Sequence, residues 1–454
     1  MTSCEKTYEL SGKNASTERI FTKLNSNETG IDFSNLLDED IRYNGLQYEY
    51  FYNGGGVAVS DFNNDGLKDV FFVSTINQHK LFLNKGDLNF EDVSHMTGIL
   101  NQQHFSTGVT VVDINNDGWM DIYLSNSGKF KNPETRRNRL YINTGAKNKE
   151  GIPVFKEEAK NYGLDSSDCS TQASFFDYDK DGDLDMFLLN HSPSPYPEDK
   201  SLLELSQIDG GVANNRLYRN DNGRFTDISR EAGIIQNRLS YGLGISIGDI
   251  NNDTWPDIYV ANDFTGKDLL YINNQDGTFV ERINEATNHI SFFSMGNDIA
   301  DINNDGWMDM MVVDMMGANN YDIKTSMSGM NPARFYETVN SGQHYQYMYN
   351  TLQLNSGYLQ ENGVPIFSDI AQLTGVSNTD WSWAPLFFDM DNDGHKDLFV
   401  SNGIKRDFRN NDFVNYVNKK QDSIRQAKSM DVKDYISDVM LKMPTRKKEN
   451  YFFR

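Results

Sequence analysis

The sequence SFFDYDKDGDLDMFLLN, residues 174–190, decides the fold. Two apolar segments, rich in residues that favour β-strands, enclose nine residues that contain five aspartates. Carboxylates packed this closely repel one another, and none can be buried unless a positive partner lies among them. The stretch therefore predicts two strands joined by a loop that is built around a cation.

The acidic loop recurs with the pattern D-x-[DN]-x-D-G-x-x-D, and one copy has Thr in place of Gly. Its six copies begin at Asp61, Asp113, Asp177, Asp249, Asp301 and Asp389. An apolar run precedes each copy and a second run follows it. A third run such as RLYINTG comes next, and in five units a fourth run such as FTDISREAGI. Short apolar runs separated by Asn, Gly and Asp indicate strands and turns. The pattern predicts an all-β fold, a β-propeller of four-stranded blades.

We expect a single propeller domain at residues 20–454, preceded by an N-terminal tail at residues 1–19. Residues 411–443 carry apolar side chains at helical spacing, and residues 191–213 combine a Pro-rich loop with a short helical segment. Both segments fall between a second and a third strand, which predicts loop insertions within blades. The repeats begin near residues 54, 106, 170, 241, 294 and 382.

The two ends of the sequence leave the number of blades open. The final residues ENYFFR match the third-strand pattern, and residues 20–31, IFTKLNSNETGI, resemble a fourth strand with its exit turn. Either the N-terminal strand completes the last blade and latches a six-bladed ring, or the chain is the front part of a seven-bladed propeller. We favour the second alternative, because a chain that ends within a repeat is unusual. Main-chain hydrogen bonds between residues 20–25 and 450–454 would support the latch.

A hard divalent cation explains the repeated carboxylates. Calcium takes about six to eight oxygen ligands from carboxylates and carbonyls. Positions 1, 3 and 5 supply side chains, a Gly at position 6 permits the turn, position 7 offers its carbonyl, and position 9 returns an Asp. We therefore predict up to six Ca²⁺ ions. The candidate ligands are Asp61, Asn63, Asp65, Leu67, Asp69, Asp113, Asn115, Asp117, Trp119, Asp121, Asp177, Asp179, Asp181, Asp183, Asp185, Asp249, Asn251, Asp253, Trp255, Asp257, Asp301, Asn303, Asp305, Trp307, Asp309, Asp389, Asp391, Asp393, His395 and Asp397.

Solvated turns are the alternative explanation, because Asp and Asn are common where strands reverse. A turn needs one or two such residues, whereas these loops place four at fixed positions. Magnesium fits less well because it demands a stiff octahedron, and zinc would use Cys or His. The loops at Asp177 and Asp389 carry four Asp ligands and should bind most tightly. The loop at Asp249, with Thr254 in place of Gly and with Pro256, should be the weakest or distorted.

The charge and the apolar content limit the partners. A net charge of −23 argues against nucleic acid, whose phosphates would be repelled. No run of apolar residues is long enough to span a membrane, and the opening MTSCEKTYEL lacks the apolar core of a signal peptide. Cys4 follows small residues and resembles the acylated Cys of a bacterial lipoprotein. We expect any membrane contact to be made through lipidation at Cys4, and Cys169 to be a plain thiol.

The loops and their flanking strands resemble FG-GAP repeats, also called VCBS repeats, of integrin α-chain propellers and many bacterial secreted proteins. In that family the loop joins the first two strands of a blade and binds calcium. Segments such as FSMGNDIADINNDG are similar, more narrowly, to surface lipoproteins of Bacteroidetes-type bacteria in the ASPIC/UnbV-associated group. The resemblance covers residues 20–454 and implies an extracytoplasmic protein, at the cell surface or outer membrane or secreted.

No nucleophile elbow, zinc-protease motif or P-loop is present in the sequence, so no catalytic residue is predicted. His191 and His344 are candidates for a binding face. Trp381 and Trp383 precede an inner strand, where they would either contact a ligand or pack against the neighbouring blade. The prediction is a binding or scaffold module for glycan or protein ligands. The alternative is a calcium-dependent carbohydrate-active enzyme, a polysaccharide lyase or hydrolase.

Overall fold

Six antiparallel sheets follow one another along the chain, and in each the strands are hydrogen-bonded in sequence order. The computed structural model describes residues 21–40, 43–99, 104–129, 132–195, 197, 199–326, 331–427 and 432–454. It confirms the predicted all-β class and the propeller blades. Cys4, the proposed lipidation site, lies outside the described residues.

The first three blades have four strands each. Blade one contains β1 (Val57–Ser60), β2 (Asp69–Phe72), β3 (Lys80–Asn84) and β4 (Phe90–Asp92). Blade two contains β5 (Phe105–Val112), β6 (Asp121–Ser127), β7 (Arg139–Lys147) and β8 (Pro153–Glu157). Blade three contains β9 (Ser170–Phe176), β10 (Asp185–Asn190), β11 (Arg216–Asn220) and β12 (Phe225–Asp227).

The next two blades are also four-stranded, and the described part of the sixth has three strands. Blade four contains β13 (Gly242–Gly248), β14 (Asp257–Asn262), β15 (Leu269–Asn273) and β16 (Phe279–Glu281). The short β17 (Ile290–Ser291) pairs in parallel with β20 (Gln346–Tyr347). Blade five contains β18 (Asn297–Ala300), β19 (Asp309–Val312), β21 (Thr351–Leu359) and β22 (Pro365–Asp369). Blade six contains β23 (Ser382–Phe388), β24 (Asp397–Asn402) and β25 (Tyr451–Phe453).

The core lies between the blades. The second strands β6, β10 and β14 are buried along their whole length, which explains their continuous apolar sequences. Rings from adjacent blades meet there, as when Phe187 of blade three lies 6.4 Å from Tyr271 of blade four. Each blade therefore depends on its neighbours to bury its two faces.

The helices occupy the connections between strands. They are α1 (Ser26–Thr29), α2 (Ala159–Tyr162), α3 (Leu202–Ser206), α4 (Ile283–Ala286), α5 (Asn320–Ser326), α6 (Pro332–Asn340), α7 (Ala371–Thr374), α8 (Asn411–Ala427) and α9 (Val432–Lys442). The helical segments predicted after residue 191 and at residues 411–443 are confirmed as α3 and as α8 with α9. The insertion in blade five, with α5 and α6, was not predicted. Its sequence signature is Asn331, which caps α6, followed by Pro332 at the first helical position.

The N-terminal segment contacts both the last blade and the first. The predicted third strand at the end of the chain is confirmed, because β25 pairs with β24. Among the described residues, 21–25 form no strand with β25, but the Phe21 ring lies 5.4 Å from that of Phe452. A Cβ on Gly30 would lie 2.2 Å from the Phe90 carbonyl, much as one on Gly98 would lie 2.6 Å from the Phe155 carbonyl. Residues 26–31 therefore contact blade one in the same way that the exit turn of blade one contacts blade two. Closure of the ring remains a prediction.

Five buried carboxylates among the described residues lie in connections between second and third strands: Asp263, Asp268, Asp314, Asp322 and Asp407. Asp268 accepts hydrogen bonds from the Tyr259 hydroxyl at 2.8 Å, the Ser294 hydroxyl at 2.9 Å and the Asn262 main-chain N–H at 2.8 Å. Burial nevertheless raises the pKa of Asp268 to about 7. The folded protein therefore holds this proton at pH values where the unfolded chain has lost it.

An Asp268→Asn variant tests this proton linkage. The stabilising contribution of Asp268 is complete below its unfolded-state pKa of about 4 and is lost as the pH rises to about 7. Over that window one such group lowers the free energy of unfolding by about 1.4 kcal/mol per pH unit. We expect the variant to have a shallower pH dependence than the parent by up to this slope, measured by urea denaturation between pH 4 and 7. Equal slopes would contradict the linkage.

Candidate metal centres

Six acidic loops join the first strand of each blade to the second, so all six lie at one end of the propeller, which we call the acidic face. The connections from second to third strands lie at the other end, which we call the opposite face. The loops are numbered one to six in chain order and comprise residues 61–69, 113–121, 177–185, 249–257, 301–309 and 389–397.

The carboxylates at positions 1 and 5 organise each loop through main-chain hydrogen bonds. In loop one, Asp61 accepts the N–H of Asp65 at 3.1 Å and that of Gly66 at 2.8 Å, and Asp65 accepts the N–H of Leu67 at 2.8 Å. The same three bonds occur in the other five loops. The carboxylates are therefore held on the inside of the turn and do not extend into solvent.

Two positions of each loop have left-handed backbone. Position 6 has a φ between 75° and 96° in all six loops, and this requirement explains the glycines. Thr254, which replaces Gly in loop four, adopts a φ of 75°, and the loop keeps its full set of internal bonds. The expected distortion of loop four is therefore not found, and its weaker binding remains a prediction. Position 4 is also left-handed, with φ between 53° and 60°, and is Asn in five loops and Lys180 in loop three.

Position 9 is a buried Asp that joins the loop to its sheet. In blade two, Asp121 accepts the N–H of Ile114 at 3.1 Å and the N–H of Asn143 at 2.7 Å. Burial raises the pKa of Asp121, Asp185 and Asp257 to about 7, and the other acids of each loop add to the rise. The charged form of these aspartates is therefore disfavoured unless a cation at the loop compensates it.

An Asn at the end of the third strand supports this Asp, and the sequence analysis missed it. Its N–H donates to the position-9 carboxylate in blades one to five. Its side chain donates to the carbonyl of position 8, which fixes the loop from below. The Asn that recurs in the third-strand sequences LFLN, YIN, YRN and QLN could have indicated this supporting role. The residues are Asn84, Asn143, Asn220, Asn273 and Asn355.

The donor set fits a hard divalent cation best in loops three and six. Carboxylate oxygens from positions 1, 3 and 9 lie within 4.8 Å of one another in both loops. Neither oxygen of Asp391, at position 3 of loop six, has a hydrogen-bond partner although both are buried, as expected of atoms that would bind a cation. Asp391 also forms an ion pair with Arg454, so loop six already contains one positive group. Oxygen donors without Cys or His ligands suit calcium better than zinc.

The other four loops have Asn at position 3, and its amide changes the local bonding. In loop one, Asn63 donates its side-chain N–H to Asp65 at 2.9 Å. The same bond occurs in loops two, four and five. It uses a carboxylate oxygen that the sequence assigns to the cation, so a cation must compete with it in these loops.

The carboxylates of positions 1, 3 and 9 are thus brought together in loops three and six, and the ligand assignments at the other positions and in the other loops remain a prediction. The His and Trp residues proposed as ligand contacts are buried or partly buried. His191 and His344 are buried, which makes their predicted place on a binding face wrong. Trp381 is buried against Phe408 at 5.6 Å, and the Trp383 indole donates to the Gly403 carbonyl at 2.6 Å. The Trp pair therefore packs within the protein, but these contacts are with the connection that follows β24 in the same blade, and the predicted packing against the neighbouring blade remains a prediction.

A family model described as an FG-GAP-like repeat matches residues 61–124, 205–260 and 249–312. Cartilage acidic protein 1 from Homo sapiens is 23% identical over 405 residues, which cover 82% of this chain and 58% of that protein. The Mus musculus protein is 21% identical over 428 residues, covering 87% and 62% respectively. The chain therefore spans about three fifths of the length of these relatives.

Solved structures give more distant matches. The exotype rhamnogalacturonan lyase YesX is 12% identical with a TM-score of 0.35, and the match covers 78% of this chain and 54% of that one. A GH43 β-1,3-galactosidase is 11% identical with a TM-score of 0.33, covering 70% and 93% respectively. Similarity at this level does not inform the activity of this chain.

Substitution of position 5 tests the predicted order of the loops. We expect Asp181→Ala and Asp393→Ala, in the loops with four Asp ligands, to lower calcium-dependent stability more than Asp253→Ala in loop four. More ligand charge favours tighter binding, and no Asn amide competes in loops three and six. The measurement is the shift in melting temperature on adding calcium to each variant. A larger loss at Asp253 would show that ligand charge does not set the order.

Proposed function

The chain is an FG-GAP-repeat β-propeller, and from this premise we propose that it is a calcium-binding module that presents a ligand-binding surface outside the cytoplasm. The observation that carries the proposal is the convergence of the position-1, 3 and 9 carboxylates in loops three and six, within a loop pattern that recurs six times on the acidic face. Up to six Ca²⁺ ions would add twelve positive charges to a net charge of −23. Much of the negative charge would then belong to the calcium sites, so the net charge gives little information about a partner.

The modest ligand charge supports a location where calcium is abundant. Four loops have three Asp and one Asn ligand, and calcium sites of extracellular modules bind with Kd values of about 10⁻⁴ to 10⁻³ M. Such sites would be filled at a bacterial cell surface or outer membrane, or in a secreted protein. In the described part of the chain, no helix has both the length and the apolar character needed to cross a bilayer. Lipidation at Cys4 is the membrane link that we propose.

The opposite face is where we place a glycan or protein ligand. All three insertions, in blades three, five and six, leave from connections between second and third strands and so gather there. The blade-five insertion carries exposed aromatic rings, with Tyr336 62% and Tyr345 47% exposed. Both rings neighbour Phe335, at 5.5 Å and 6.2 Å. Exposed rings on an adaptable surface suit stacking against a sugar or a peptide side chain.

One observation favours a polysaccharide lyase or hydrolase as a second candidate. Beside the same rings, His289 Nε2 lies 3.1 Å from an Asp369 carboxylate oxygen and 3.0 Å from the Tyr349 hydroxyl. Such a group can move protons in general acid–base chemistry. Burial raises the pKa of Tyr349 to about 12, which disfavours this hydroxyl as a base. The binding module therefore remains the better-supported proposal.

Removal of calcium tests the proposed cation dependence. A ligand that binds only the folded state stabilises it by about 2.7 kcal/mol per site at a hundredfold excess over its Kd. We expect excess EGTA to lower the melting temperature by many degrees and millimolar calcium to restore it, measured by calorimetry. Magnesium at the same concentration serves as the control and should restore less. An unchanged melting curve after confirmed metal removal would contradict calcium binding.

A panel of glycans, tested with and without calcium, tests the ligand face. We expect a bound glycan to lose roughly tenfold in affinity in the Tyr336→Ala, Tyr345→Ala double variant, because two stacking rings are removed. Tyr358→Ala is the matched control, since Tyr358 is 71% exposed but lies at the other end of its blade. Equal losses in both would place the ligand elsewhere. The release of new reducing ends or unsaturated uronates from the same panel would instead favour the enzyme.

A further inference from the structure

The acidic loops are hydrogen-bonded to one another across the blades. Asn64, at position 4 of loop one, donates its side-chain N–H to the carbonyl of Gly118, at position 6 of loop two, at 3.0 Å. Asn252 makes the same bond to Gly306 at 3.0 Å, and Asn304 makes it to Gly394 at 3.1 Å. The same pair of positions therefore joins loop one to two, loop four to five, and loop five to six.

Loops three and four are joined by a different pair of side chains at the same two positions. Lys180 stands where the other loops have Asn, and its ammonium donates to the Thr254 hydroxyl at 2.8 Å. The same ammonium lies 4.6 Å from the centre of the Trp255 ring. Thr254 is the residue that replaces Gly in loop four. Lys180 and Thr254, which both depart from the loop pattern, therefore contact each other.

Among the described residues, the connection is absent between loops two and three, and loop six donates no such bond to another loop. Asn116 of loop two and Asn392 of loop six have the same left-handed backbone as the other position-4 residues, with φ of 55° and 57°. Among the described residues, neither side chain donates to another loop. The links thus divide the acidic face into two sets: loops one and two, and loops three to six.

The peptide unit whose carbonyl accepts the bond from the neighbouring loop is also hydrogen-bonded within its own loop. The Gly118 carbonyl and the Trp119 N–H are parts of one planar peptide unit. Asn64 binds its oxygen, and the carboxylate of Asp117 accepts its N–H at 2.9 Å. The position of the Asp117 carboxylate, a candidate ligand, is therefore fixed partly by a residue of the neighbouring loop.

We propose that the position-4 side chain is a positioning residue for the neighbouring cation site, so that loops within one set bind cations cooperatively. The proposal rests on the proposed calcium binding. Asn64 lies between two candidate ligands, Asn63 and Asp65, so a cation in loop one orders its backbone and with it the bond to loop two. Coupling of this kind is reciprocal, and the net strength of one hydrogen bond corresponds to a change in affinity of about fivefold.

The structure offers an optical readout for loop two. Trp119 occupies position 7 there, and an excited indole sensitises the emission of a terbium ion bound beside it. Terbium(III) prefers the oxygen ligands that calcium uses, so it is a suitable probe of these loops. In a background with Trp255→Phe and Trp307→Phe, Trp119 is the one remaining Trp within the six loops, since Trp381 and Trp383 precede or begin β23.

In this background we compare Asn64→Gly with two matched variants, Asn392→Gly and Asn304→Gly. Glycine accepts the left-handed backbone, so each change removes only the side chain. We expect Asn64→Gly to raise the terbium concentration at half-maximal Trp119-sensitised emission by about fivefold. Asn392 is unlinked and Asn304 belongs to the other set, so both of these variants should titrate like the parent.

Three results would overturn the proposal in distinguishable ways. An unchanged midpoint in Asn64→Gly, together with a lower melting temperature in cation-free buffer, would show that the bond only joins two blades. An equal shift in all three variants would show a general loosening of the acidic face. The absence of saturable emission from the parent would overturn calcium binding itself, and the coupling with it.

Discussion

The buried aspartate at position 9 is the constraint on which the rest of each blade depends. One of its oxygens accepts the N–H of position 2, at the end of the first strand, and the other accepts an N–H from the third strand. A single side chain thereby fixes the loop, the start of the second strand and the register of the third. Its burial raises its pKa, so the charged form that accepts both hydrogen bonds is disfavoured in the protein alone. A cation at the loop would compensate that charge.

Much of the fold could be predicted because the same pattern occurs six times, so that each copy supports the interpretation of the others. Six copies of the loop, each between apolar runs, identified the strands of the blades apart from their exact bounds, but not the parallel pair of β17 and β20. The helical insertion with α8 and α9 was predicted because its apolar spacing and Pro444 are local features. The insertion in blade five was missed because α5 and α6 are short, and aromatic residues such as Tyr321 and Tyr336 are exposed to solvent.

The sequence named the candidate ligands, which remain a prediction, and missed the residues that support them. Position numbering within one loop identified the side chains at positions 1, 3, 5 and 9. The Asn that holds position 9 lies on a different strand, so its role depends on strand pairing that a sequence does not display. His191 and His344 show the converse problem. A lone His in a polar, Pro-rich or Tyr-rich segment looks accessible, yet Tyr48 bonds the ring of His191 at 2.5 Å in the interior.

The contact between Lys180 and Thr254 has a consequence for the arrangement of the repeats. A ring built from near-identical units would tolerate any permutation of them, since every junction would offer the same donor and acceptor. Here the unit that begins at Asp177 has exchanged its amide for an ammonium, and the following unit has exchanged its glycine for a hydroxyl that meets it. Neither half has its complement in another unit. The order of these two blades is therefore marked by a pair of side chains on the acidic face, and shuffling the two repeats would separate a contact that no other junction of the described loops contains.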